Sequence, residues 1–183
     1  MRKALVMLLL AGPLAADEAD EYFEIGLGYL KTGFYAEARA AFSESLVRAP
    51  GQAVPTAFAG IACAGEGRDS RTCAYLLRLA YQRLPAKRSL RLDLNKQLRS
   101  ARDLERIAAR FRQRLKDARG AARVDNLTVL AFLEVQDGTP GGSKALAELQ
   151  KLRPNDAYAK ALGRLAEPKK KVKEPKKAPK AKS

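Results

Sequence analysis

Residues 19–52 read ADEYFEIGLGYLKTGFYAEARAAFSESLVRAPGQ, and the fold turns on how this stretch is read. Two helical patterns flank Gly33. In the first, Tyr22, Ile25, Gly26 and Tyr29 recur at steps of three and four, the spacing of one helix face. In the second, Ala38, Phe42 and Ser45 do the same. Gly33 turns the chain, and Pro50 cannot continue the second helix because it lacks a backbone N–H. Gly26 and Ala38 are small enough to let two antiparallel helices approach closely. Tyr22, Ile25, Tyr29 and Phe42 then belong on inward faces, as core rather than as a cofactor pocket. The stretch predicts a helical hairpin.

The punctuation recurs along the chain. Pro50 and Pro85 lie 35 apart, and Pro154 follows 69 later, with Arg119-Gly120 near the midpoint. Gly33 and Gly67 lie 34 apart, and Gly138 follows 71 later. Two interleaved series with one period mark an internal repeat. The units run over about 19–52, 53–87, 88–122 and 123–156. Unit two keeps Gly60, Cys63, Gly67, Leu77, Ala80 and Pro85. Unit three is degenerate: its first helix is expected over Leu90 to Leu98, and its second starts at Ser100-x-x-Asp103, which resembles a capping box. Unit four carries Leu127, Leu130-Ala131, Leu146 and Leu149, with a flexible turn over 138–142. Residues 157–166 supply Tyr158, Leu162 and Leu165 for a terminal capping helix.

The first unit resembles the tetratricopeptide repeat, with a large aromatic, an apolar-Gly pair, Tyr, a turn Gly, Ala, Phe and a closing Pro. Here these are Tyr22, Ile25-Gly26, Tyr29, Gly33, Ala38, Phe42 and Pro50. Tyr22 stands for the usual Trp and Ile25 for the usual Leu. The resemblance covers roughly 19–166 and is weakest in unit three. It implies an all-α fold, an α-solenoid of about four hairpins, similar to the small repeat proteins that bacteria export to the envelope. It further implies a concave face, lined by each unit's first helix, that binds a peptide or partner protein. By motif position that face takes Phe23, Leu27, Leu30 and Lys31 in unit one, Ala57, Ile61 and Ala64 in unit two, and Thr128, Phe132 and Val135 in unit four. This lining is mostly apolar and suits a hydrophobic peptide or an apolar helix; the same residues would equally serve to pack on a neighbouring repeat.

The N-terminus reads as an export segment over 1–16. Arg2 and Lys3 precede an apolar run from Ala4 to Ala11, and cleavage after Ala16 would leave Asp17 first. The alternative is an N-terminal helix packed on the domain. The run is too short to span a membrane, which takes about 20 apolar residues. Periplasm or cell envelope, or secretion, is the expected destination. An oxidising compartment would permit a disulfide between Cys63 and Cys73, the only two cysteines. Two small buried side chains on adjacent helices would satisfy the same spacing.

Basic charge sits in two blocks. Residues 81–123 hold fourteen basic against four acidic side chains, within a chain of net charge +15. In this block Arg99, Arg102, Arg106, Arg110 and Arg114 recur at steps of three and four, opposite Leu104, Ala108 and Phe111. The row is either a solvated face or a ridge for a polyanion. The second block, EPKKKVKEPKKAPKAKS over 167–183, cannot bury a core and is expected to be disordered. Its Lys169, Lys170, Lys171, Lys173, Lys176 and Lys177 would join the ridge on an acidic polymer or an anionic membrane surface. No aromatic interleaves these lysines, so base stacking and sequence-specific nucleic-acid recognition are not expected. With no His, no Gly-rich phosphate loop after a strand and no nucleophile elbow, neither catalysis, a cofactor nor a metal site is expected.

Overall fold

The computed structural model describes residues 13–85, 88, 90–138 and 143–167. Residues 1–12 of the expected export segment and the lysines of the basic tail lie outside them. The expected cleavage point after Ala16 falls within the first helix, which Pro13 opens. Among the described residues the regular secondary structure is all α-helix, without strands.

Helix α1 (Pro13–Thr32) and α2 (Tyr35–Arg48) form an antiparallel pair, as do α3 (Ala53–Glu66) and α4 (Ser70–Gln82). The pairs approach at glycines that have no room for a side chain. A Cβ on Gly26 would lie 2.5–2.9 Å from three atoms of the buried Phe42 ring, and one on Gly60 would lie 2.9 Å from Leu77. Phe42 also packs on Phe23 and Phe58, with ring centroids 5.7 and 5.6 Å away, and so ties α2 to both flanking helices. Gly65 presses on the Tyr35 ring where α2 meets α3. The buried row of α3, from Pro55 to Gly65, makes it the central helix of this half.

The third unit departs from the expected pattern. Leu90 to Leu98 does not form a helix of its own; it is irregular chain ending in one turn, α5 (Leu94–Gln97). Leu90, Leu92 and Leu94 are buried while Arg91 and Asp93 are exposed, a two-residue alternation proper to extended chain. Gln136 takes the role of a neighbouring strand: it accepts from the Leu92 N–H at 2.7 Å and donates to the Leu90 carbonyl at 2.7 Å. Helix α6 (Ala101–Asp117) follows, with Ser100 accepting the Asp103 N–H at 3.3 Å as its cap. Helix α7 (Gly120–Asp137) pairs with α6 and packs along α4. It thus takes the position beside unit two that a regular array would give to unit three. Helices α8 (Lys144–Leu152) and α9 (Ala157–Ala166) close on α7.

Two expected core residues lie at the surface. Ile25 and Tyr29 are 41% and 38% exposed, and Tyr22 is half-buried beneath the Arg48 guanidinium, 4.1 Å from its ring centre. Their face of α1 has no preceding helix among the described residues to cover it. Cys63 and Cys73, both without exposed surface, are joined as a disulfide between α3 and α4, with Cα atoms 5.5 Å apart.

Gly26→Ala should lower stability by about 1–3 kcal/mol, because the Phe42 ring must shift within a packed core. Gly28→Ala, two residues along the same helix with nothing within 4 Å of a new Cβ, should stabilise by about 0.5–1 kcal/mol. Urea unfolding followed by circular dichroism measures both, and equal effects at the two positions would contradict the close approach.

Candidate functional site

The five arginines of the expected ridge divide into two groups. Arg110 and Arg114 turn onto the C-terminal end of α3. Arg110 donates from Nη1 to the carbonyls of Ala64 and Gly65, at 3.1 and 3.3 Å. Arg114 donates to the carbonyls of Gly67 and Arg68, each at 2.9 Å, and to Ser70 Oγ at 3.3 Å. A helix leaves its last carbonyls without intrahelical partners, and they carry the negative end of its dipole. Arg110 meets this demand together with the backbone N–H groups of Gly67 and Arg68, and Arg114 holds the two carbonyls just beyond the helix. Gly67 permits this approach: it adopts φ +87°, and a Cβ there would lie 2.7 Å from Arg110 Nη1.

Arg99, Arg102 and Arg106 face solvent. Arg99 and Arg106 are 62% and 57% exposed and bracket the buried carboxylate of Asp103, at 3.3 and 3.0 Å. Two arginines share one acid, so this trio keeps a positive charge and Arg102 adds another. Arg112, which the spacing argument left out, lies on the exposed side of α6 and pairs with Glu105 at 2.7 Å and Glu134 at 3.4 Å. Its place one turn after the outward-facing Ala109 could have flagged it.

The expected concave lining is largely enclosed. Leu30, Ile61, Phe132, Ala57, Ala64 and Thr128 have no exposed surface, and Leu27 has 8%. All but Thr128 belong to one core cluster with Leu90, Leu92, Leu94, Leu98, Leu104, Ile107 and Phe111. The chain's own third unit therefore contributes apolar side chains to the core that these residues build. Phe23 and Val135 are half-buried at the margin of that core, and only Lys31 is exposed. The alternation of leucines at 90, 92 and 94 was the available signal that this segment lies flat against a core.

Among the described residues no group of three His, Cys, Asp or Glu side chains is arranged to hold a metal ion, and no helix is long and apolar enough to cross a membrane. No protein-family model matches the sequence, and no curated protein and no solved structure matches it.

Arg110→Met should destabilise the protein by about 1.5–3 kcal/mol, the range for hydrogen bonds made by a charged donor. Arg102→Gln, on the same helix but in solvent, should stay within about 0.5 kcal/mol of the parent. Paired urea titrations of the two variants make the comparison, and a neutral Arg110 variant would show that the α3 carbonyls do not need it.

Proposed function

We propose that this chain is a non-catalytic scaffold of the bacterial cell envelope, a tetratricopeptide-like α-solenoid whose exposed arginine face holds an anionic polymer or an anionic membrane surface. The hairpin reading is supported by the motif of residues 19–52 and by the tight passages at Gly26 and Gly60. The anionic partner is supported above all by one observation: Arg99, Arg102 and Arg106 project from α6 into solvent with a single buried carboxylate among them. Basic residues so clustered raise the local concentration of a polyanion and bind it with strong salt dependence. The basic tail over 167–183 follows directly on α9 and would add to the same attraction. An exported protein meets anionic lipid headgroups and acidic wall polymers rather than nucleic acid.

Capture of a peptide or protein in the concave face is the less favoured reading. Leu30, Ile61 and Phe132 have no exposed surface to offer. Protein partners that are themselves acidic fit the arginine face instead.

Cosedimentation with phosphatidylglycerol vesicles tests the proposal against phosphatidylcholine vesicles as the neutral control. Binding to the anionic vesicles should fall steeply between low and physiological salt, where screening shortens to about 8 Å. Replacing Arg99, Arg102 and Arg106 by Gln and deleting 167–183 should remove it. Binding that ignores salt, or that survives these changes, sinks the proposal.

A further inference from the structure

We infer that a cleft between α4 and α9 binds a carboxylate carried on an apolar body, that is, an amphipathic organic acid, at a site separate from the α6 face. The cleft has a volume of about 400 Å³, within the range of small-molecule sites. Arg78 of α4, Arg88 of the chain that follows and Arg164 of α9 line it, against the single carboxylate of Asp156.

That carboxylate is already engaged. Its Oδ1 accepts the backbone N–H groups of Tyr158 and Ala159, at 2.9 and 3.2 Å, as the cap of α9. Its Oδ2 lies 3.5 Å from Arg78 Nη2. Among the described residues Arg88 and Arg164 take part in no ion pair. Three cations thus face one occupied anion. Arg78 is held in place by donating to Thr128 Oγ1 at 2.8 Å, yet its Nε is buried and has no partner among the described residues. An anion in the cleft would pair with the exposed guanidiniums of Arg88 and Arg164, beside an Arg78 already fixed in place.

Apart from Gln82, the rest of the wall is apolar. The Tyr81 and Tyr158 rings meet edge to face at 4.9 Å, and Leu84, Pro85 and Ala161 extend the surface. Both phenols are turned inward: Tyr158 donates to the Thr128 carbonyl at 3.1 Å and Tyr81 to the Leu90 carbonyl at 3.4 Å. Burial pushes both hydroxyls well above their ordinary pKa, so the rings stay neutral. Inorganic phosphate would meet the cations but leave this wall unused. An alkyl or aryl acid uses both, with its planar carboxylate matched to a guanidinium fork.

The test uses the full chain with octanoate and phenylbutyrate as probes, phenylbutanol as the neutral counterpart and inorganic phosphate as the anion without a body. Titration calorimetry measures affinity, and amide chemical shifts locate the site. An acid should bind saturably with shifts on α4 and α9, and phenylbutanol and phosphate should bind at least tenfold more weakly. The double variant Arg88→Gln, Arg164→Gln alters two exposed side chains and should retain its helicity while losing roughly tenfold or more in affinity. The variant of Arg99, Arg102 and Arg106 should bind the acid like the parent, so failure here is separable from failure of the α6 proposal. The inference is overturned if neither acid saturates at millimolar concentration, if the alcohol or phosphate matches the acid, or if the double variant binds unchanged.

Discussion

The end of α3 and the turn that follows it are joined to α6 by the hydrogen bonds of two arginines. Arg110 and Arg114 reach α3 from α6, so the helix that carries them is anchored across the end of the second hairpin. The left-handed Gly67 opens the approach. The Cys63–Cys73 disulfide ties the last turns of α3 to the start of α4 beside it. Helix α7 packs both on α6 and along α4. Hydrogen bonds at one helix end and the α4–α7 packing together join the second half of the chain to the first.

The helical class and the positions of the turns were legible because they rest on local chemistry. Gly33 and Gly67 end helices for reasons contained in a few neighbouring residues, and the buried Phe42 follows from the spacing of its own helix. Burial of a face by a distant segment is not local. Ile25 and Tyr29 have the spacing of core residues, but among the described residues no helix covers them. Leu30, Ile61 and Phe132 have the spacing of a binding face, yet share a core with leucines some 30–60 positions away in sequence. Pattern reading assigns a residue to a face, and only the path of the whole chain decides what that face meets. Leu90, Leu92 and Leu94 are the instructive case: their alternation was readable, but the repeat period argued for a helix there, and the period was the weaker guide in a degenerate unit.

The arginine stripe shows why a count of charges is a poor measure of a charged surface. Five residues of one type at one spacing divide into two that complete a helix end and three that face water. Acids are sorted in the same way. Asp103 is 3% exposed, drawn beneath Arg99 and Arg106 while its backbone N–H closes on Ser100. Asp156 is half-buried and caps α9. Asp156 is oriented toward the backbone N–H groups that open α9, whereas Asp103 is held between Arg99 and Arg106 and offsets one of their two charges. The α6 face stays positive because its exposed arginines share the one carboxylate of Asp103, and the α4–α9 cleft because its three arginines face the one capping carboxylate of Asp156. The basic character of the two faces therefore comes from the excess of arginines over the carboxylates beside them, and at the cleft also from the second task that Asp156 performs at the start of α9.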